Sequence, residues 1–350
     1  MGGAGVQAMN DVNLLGASLQ EIELALNGLN EPVYRAHQVY SGIYRHRFQS
    51  WHQFTYISKL LRQRLGRQFV IEYPPLQRVF ISQDKTRRYL FEVSPGQKIE
   101  AVFIPEERRD TFCISTQVGC RVGCLFCVTG KVKMQRNLSA GEIVGQVMSM
   151  QADRDGNRKP LNIVIMGMGE PLFNYRNVIK AIRLMTDDQG MSISPRRITL
   201  STSGVVPGIK RLAKEPVIPN LAISLCATTD TVRDMLIPIN RHWNIEALLE
   251  SCRVFPLERR RRITFEYVLI EGINDSSEDA RRLARLLHGM KKKINLIPLN
   301  KDPWIPLGTP SRERVLAFQK ILVDRHITVN IRRPRGSDIS AACGTLAGRG

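Results

Sequence analysis

The stretch Thr111-Phe-Cys-Ile-Ser-Thr116-Gln-Val-Gly-Cys120-Arg-Val-Gly-Cys124-Leu-Phe-Cys127 decides how the chain is read. Its opening run of β-branched and aromatic residues predicts a short strand. Just past that strand, three cysteines follow in C-x3-C-x2-C spacing, which lets three thiolates converge on one inorganic cluster. Structural zinc asks for four ligands, usually as two spaced pairs, and this spacing does not supply them.

Outward from Thr111 the pattern alternates strand and helix, the signature of β/α units on a parallel sheet. Strands are predicted at Thr111 to Thr116, Leu161 to Ile165, Arg197 to Ser201, Asn220 to Leu225, Ile263 to Leu269, Ile294 to Pro298 and Ile327 to Ile331. Helices are predicted near Ser139 to Met150, Asn174 to Met185, Asn244 to Val254, Ser277 to His288 and Ser311 to Asp324. Ser139-Ala-Gly-Glu142 reads as a capping box. Upstream, helical periodicity runs from Leu19 to Leu29, Val33 to Tyr44 and Ile57 to Leu65. Strand-like segments lie at Leu76 to Ser82, Arg88 to Val93 and Ile99 to Ile104. The chain therefore divides into an N-terminal helical accessory module (1–75), a β-hairpin linker (76–110), a β/α core (111–334) and a C-terminal segment (335–350). In such architectures the chemistry gathers at the carboxyl ends of the strands.

The 350 residues carry 51 Lys and Arg against 32 Asp and Glu, a net charge of +19, and a pI near 10.0. That excess concentrates polyanions: RNA, DNA or an anionic membrane surface. No apolar run approaches the ~20 residues of a spanning helix. The N-terminal Met1-Gly2-Gly3-Ala4-Gly5-Val6 has neither a signal peptide pattern nor the Ser or Thr of a myristoylation site, so a cytoplasmic protein is expected. Seven cysteines without a secretion signal argue for metal or redox chemistry over a disulfide framework.

A cluster held by three thiolates keeps one iron open, and that iron can chelate the amino and carboxylate groups of S-adenosylmethionine. Together with Phe126, which either faces the cofactor or packs in the core, the motif resembles that of the radical S-adenosylmethionine superfamily. Gly167-Met-Gly169-Glu170-Pro171, Leu200-Ser201-Thr-Ser-Gly204 and Ala341-Ala-Cys343-Gly344 narrow the resemblance to the RlmN/Cfr family of RNA adenosine methyltransferases, over about Glu31 to Gly348. This resemblance implies a partial (β/α)6-type barrel. It also implies a 4Fe-4S cluster on Cys120, Cys124 and Cys127 and two molecules of S-adenosylmethionine per turnover. Cofactor contacts are implied at Gly169, Glu170, Ser201, Ser224 with its neighbours Leu225 and Cys226, and Asn300. Ser201, Ser224 and Asn300 each have the alternative of merely satisfying a loop.

An adenine amidine carbon is not a nucleophile, so direct attack on a sulfonium methyl is closed and a radical route is needed. By resemblance, Cys343 takes a methyl as a thioether, and a deoxyadenosyl radical abstracts hydrogen from it. The resulting carbon radical then adds to the ring. Cys113 is implied to resolve the protein–RNA adduct through a transient disulfide with Cys343, and Glu100 to accept the ring proton. Without the resemblance, both cysteines would read as inert buried hydrophobes. Glu100, between apolar Ile99 and Ala101, has the opposite strand face by the two-residue period, so a solvent-facing carboxylate is its alternative. Two departures stand out: Cys226 occupies a position that is commonly His, and Ser340 one that is commonly Asp.

Basic clusters at Arg259 to Arg262, Lys291 to Lys293, Arg332-Arg333-Pro334-Arg335, and Arg62, Arg64 and Arg67 are expected to meet phosphates. The target base must leave its stack, which is easiest in loops. The RlmN branch, favoured by Gly169-Glu-Pro-Leu-Phe-Asn174 and Asn295-Leu-Ile-Pro-Leu-Asn300, implies methylation of adenine carbon 2 in 23S rRNA and in tRNA, with a flavodoxin- or ferredoxin-like reductant. The Cfr branch implies carbon 8. A non-catalytic, metal-containing RNA-binding protein and a radical enzyme for small molecules or peptides are the competing readings.

Overall fold

The computed structural model describes residues 12–154 and 159–348. The N-terminal reading of Met1 to Val6 lies outside them. The N-terminal part consists of β1 (Val12–Asn13), α1 (Leu19–Asn27), α2 (Val33–Tyr44), α3 (Lys59–Gly66) and β2 (Phe69–Val70), with β1 and β2 paired in parallel. Ser18 caps α1 in a capping box with Glu21, and Ser58 caps α3. Both helices turn Leu or Ile at helical spacing inward, Ile22 and Leu26 in α1, Leu61 and Leu65 in α3.

This module joins the rest without a break in the apolar core. Gly16, at φ +94°, lies so close to Gly141 that a Cβ would stand 2.3 Å from the Gly141 amide nitrogen, so only glycine fits there. Tyr44 locks the same corner: its hydroxyl donates to the Ala17 carbonyl at 2.7 Å and accepts from the Gly16 amide at 2.9 Å.

Three antiparallel strands follow: β3 (Leu76–Ile81), β4 (Arg87–Ser94) and β5 (Gln97–Pro105). They extend the core sheet, β5 pairing antiparallel with β6 (Asp110–Cys113), the first strand of the core. After β6 come the short strands β7 (Gln117–Val118) and β8 (Arg136–Asn137), then α4 (Ala140–Ala152) and β9 (Leu161–Ile165). Next are α5 (Tyr175–Thr186), β10 (Ile198–Thr202), α6 (Val206–Leu212) and β11 (Asn220–Ser224). The chain continues through α7 (Asp230–Leu236), α8 (Ile245–Arg253), β12 (Ile263–Leu269) and α9 (Ser277–Leu286). It ends with β13 (Lys292–Pro298), α10 (Arg312–Val323) and β14 (Val329–Ile331). The main sheet runs β14-β13-β12-β11-β10-β9-β6-β5-β4-β3, parallel from β6 to β14. Six strand–helix units and a short closing strand thus make the expected partial barrel.

The sheet does not close on itself, and the tail after β14 crosses back to the β3–β4 turn instead. Arg335 pairs with Asp84 at 3.2 Å, the Gly336 amide donates to Asp84 at 3.1 Å, and Ser82 donates to Asp338 at 2.6 Å. Burial opposes ionisation of Asp84, but hydrogen bonds from Thr86, Gly336 and Ser82 outweigh it and hold its carboxyl down at about 2. Strands Leu161–Ile165 and Ile263–Leu269 fall where their apolar runs place them. The strand expected at Thr111 to Thr116 ends at Cys113, and the Ser115 hydroxyl beyond it donates to the Glu100 carbonyl of β5 and accepts from the Met168 amide in the loop after β9. Residues α6 and α7 contribute were not legible as helices.

Candidate active site

The carboxyl ends of the parallel strands open onto one cavity. Its walls include Cys120, Cys124, Cys127, Gly169, Glu170, Ser201, Ser224, Asn300 and Cys343. The loop carrying the three cysteines is fixed at both ends: the Cys120 amide donates to the Val132 carbonyl at 3.3 Å, and the Leu125 amide to the Leu236 carbonyl at 3.0 Å. Burial pushes the Cys120 thiol up to about 12. Cys124 is raised well above its ordinary range by burial and then by Cys127 and Cys120. Partly buried thiols with raised pKa values lose their protons readily only when a cation takes them as thiolates.

The segment Gly167 to Pro171 forms the facing wall. At Gly169, φ is +102° and a Cβ would stand 2.6 Å from the Gln117 Cβ, so the backbone can pass only as glycine. Gln117 ties this segment to the cysteine loop, accepting from the Glu170 amide at 2.8 Å. The buried Glu170 carboxylate accepts from the Ser203 amide and hydroxyl, both at 2.7 Å, and from the Leu172 amide at 3.1 Å. Burial raises its pKa and the Ser203 hydrogen bonds pull the other way.

Cys343 arrives from the C-terminal tail. Asn300 donates to its carbonyl at 2.9 Å, the Val128 amide donates to the Gly344 carbonyl at 2.7 Å, and Thr129 donates to the Leu346 carbonyl at 2.6 Å. The residue is exposed in the cavity mouth, yet the surrounding protein, then the Glu266 carboxylate, push its thiol up to about 11. Cys113 is buried at the end of β6, and Cys343 is its leading electrostatic neighbour. Both thiols feel Glu266 and Arg332.

Residues 114–284 match the Radical SAM superfamily, and residues 12–71 match the Ribosomal RNA large subunit methyltransferase N-terminal domain. A radical SAM methyltransferase from Sphaerobacter thermophilus has the same structure at TM-score 0.92 and 43% identity, over 97% of this chain and 100% of that one. Proteins from Pelobacter propionicus and Syntrophus aciditrophicus, each named dual-specificity RNA methyltransferase RlmN, are both 47% identical. They cover 96% and 97% of this chain and 96% and 98% of their own. The chain belongs to the RlmN family of radical S-adenosylmethionine RNA methyltransferases.

RlmN enzymes use a 4Fe-4S cluster and S-adenosylmethionine, and the residues present fit both. Cys120, Cys124 and Cys127 are the thiols facing the cavity beside Gly169 and Glu170. Among the described residues, no three His, Cys, Asp or Glu side chains crowd as ligands of a single ion do. Thiolates on separate irons of a cluster stand farther apart than those around one zinc.

Not every residue expected from the RlmN resemblance faces the cavity. Leu225 and Cys226 are fully buried behind its wall. The Leu225 carbonyl accepts from Arg233 and the Cys226 carbonyl from Asn274, at 3.0 and 2.6 Å. Glu100 is buried, as are Ile99 and Ala101, so β5 is covered on both faces and the solvent-facing alternative falls. Its carboxylate pairs with Arg88 and accepts from the Ala347 amide at 2.9 Å.

Two contributors escaped the sequence reading. Arg233, fully buried, donates to the carbonyls of Ser203, Ser224 and Leu225 and so fixes the ends of β10 and β11. Glu266 projects into the cavity from β12, where burial raises its pKa and Arg332, Asn295 and Ser201 lower it. The basic clusters are also divided. Arg332 follows β14 at the mouth, whereas Arg262 precedes β12 and Lys292 begins β13, at the opposite ends of the strands. Arg64 is committed to Glu31 at 2.9 Å and to the Leu29 carbonyl at 2.7 Å.

Proposed function

We propose that this enzyme methylates carbon 2 of adenosine in 23S rRNA, at the peptidyl transferase centre, and in tRNA next to the anticodon. The observation that carries this reading is the placing of Cys343 on the same cavity as the three cluster thiols, with Cys113 buried beside it. The relatives' dual-specificity name supports both RNAs.

When bound, the cluster and S-adenosylmethionine supply a deoxyadenosyl radical. The protein's own part begins at Cys343, whose Sγ accepts a methyl group and later holds the methylene that joins it to the base. Asn300 and Val128 fix the main chain at Cys343 and at Gly344 just after it. Glu100 takes the ring proton. Once the ring adduct has given up its unpaired electron, Cys113, as thiolate, attacks the Cys343 sulfur: the disulfide forms, the sulfur–methylene bond breaks with its electron pair left on the methylene carbon, and a proton taken up there completes the methyl as the base leaves. Reduction of that disulfide readies the next cycle. Gly169, Glu170, Ser201, Ser224 and Asn300 hold the methionine and ribose parts, with Leu225 and Cys226 backing the wall behind Ser224.

Within this reading, residues 1–75 are an RNA-binding module, 76–110 the hairpin linker, 111–334 the radical core and 335–350 the segment that brings the methyl-accepting cysteine. A flavodoxin- or ferredoxin-like protein delivers electrons, and the enzyme works in the cytoplasm. Among the described residues no helix is long and apolar enough to cross a membrane.

A donor labelled with three deuteriums on its methyl group tests the route. Passage through a methylene on Cys343 leaves two deuteriums in the RNA product and one in deoxyadenosine. A product methyl retaining all three would mean direct transfer and overturn the assignment of Cys343.

A further inference from the structure

The barrel end opposite the cavity carries cations that the site does not use. Arg196 lies ahead of β10, residues 259–262 lead into β12, Lys291 precedes β13, and Lys292 and Lys293 open it. Parallel register brings these loops together: Ile263 lies opposite Lys292 and Thr264 opposite Lys293, and the Ile263 amide donates to the Lys291 carbonyl at 3.0 Å.

Two adjoining hollows of about 360 and 380 Å³ result, lined by these eight Lys and Arg side chains and by no carboxylate. Glu258 reaches Arg196 at 3.1 Å and Arg261 at 3.3 Å, and among the described residues no ion pair holds the other six. Lys293 is depressed by burial first and then by the cations Arg332, Arg109 and Arg262, against which the Glu266 carboxylate pulls the other way. The arrangement costs self-repulsion, which a bound polyanion would relieve.

We propose that this basal face is a second RNA-backbone site, holding phosphates of the same RNA whose adenosine occupies the cavity. The inference rests on the reading of RNA as substrate. No Phe, Tyr or Trp lines either hollow and His326 is the one ring there, set among eight cations, so the contact is chiefly to the backbone. Guanidinium groups in a concave recess match phosphates strung along a chain better than the plane of a lipid surface. A reductant docked here would stand the length of a strand from the cluster thiols. With β12 and β13 seven residues long, the two RNA contacts are separated by about 20 Å. The substrate must therefore extend at least that far beyond the target loop.

The test is the double variant Arg260→Glu/Lys291→Glu, both positions being exposed. It is assayed on a 23S rRNA fragment with its flanking helices, on the isolated target stem-loop, and on phosphatidylserine vesicles. The expected result is a KM for the long RNA raised at least ten-fold, with kcat on both RNAs and KM for the stem-loop unchanged. The slope of log affinity for the long RNA against log salt should fall by about two. An unchanged KM for the long RNA, or an equal rise for the stem-loop, would overturn the proposal. Loss of vesicle binding with RNA binding intact would assign the face to a membrane instead. If the wild-type enzyme methylates neither RNA, the RNA reading itself falls and takes the proposal with it.

Discussion

The amide of Val128 donates to the carbonyl of Gly344 at 2.7 Å, so the residue after the last cluster thiol is bonded to the residue after Cys343. The tail that brings Cys343 is thus registered against the loop of Cys120, Cys124 and Cys127, with Thr129 and Leu346 adding a second contact. Thr129→Val removes that second bond and leaves the Leu346 carbonyl unpaired, a cost of about 1–3 kcal/mol. Methyl loading of Cys343, read by intact-protein mass, should slow roughly ten-fold while iron content stays unchanged. Equal loading rates would show that the tail is placed by other contacts.

How much of this was legible follows from how far apart in sequence the partners lie. The cysteine loop and the buried strands Leu161–Ile165 and Ile263–Leu269 are local patterns, and they appear where expected. Helices α6 and α7, at seven residues each, offer too few turns for a periodicity to show. Glu266 looks like one polar residue in an apolar strand, because Ser201, Asn295 and Arg332, which surround it, come from three other parts of the chain. Arg64 looked like part of a basic surface, but Glu31 meets it only once α3 is folded.

Gly169→Ala should weaken S-adenosylmethionine binding. The left-handed backbone and the 2.6 Å approach to Gln117 force the wall to shift, at about 1–3 kcal/mol. Equilibrium dialysis should show at least a ten-fold loss of affinity with cluster absorbance retained. Undiminished affinity would show that this wall does not contact the cofactor.

Glu266→Gln should make Cys343 more reactive in the cluster-free protein. Burial and the Glu266 charge together push the thiol up to about 11, and removing the charge lowers it. At pH 8 the thiolate fraction, and with it the rate of alkylation by iodoacetamide, should rise several-fold. An unchanged rate would place Glu266 outside the field of Cys343.

Acid should release the C-terminal tail before the barrel. Asp84 has its folded pKa depressed to about 2, against about 3.9 for an unfolded Asp. Its contribution is therefore fully present above about pH 4 and is lost as the pH falls towards 2. Limited pepsin digestion should cut within residues 336–348 progressively across that window, and Asp84→Asn should already be cut at pH 4. Uniform protection of the tail down to pH 2 would contradict this.

Carbon-2 methylation of both RNAs is tested by mass spectrometry of nucleosides from 23S rRNA and tRNA treated anaerobically with the reconstituted enzyme, S-adenosylmethionine and a reductant. The expected result is 2-methyladenosine in both RNAs. Appearance of 8-methyladenosine, or of no methylated adenosine from a protein with an intact cluster, would contradict it.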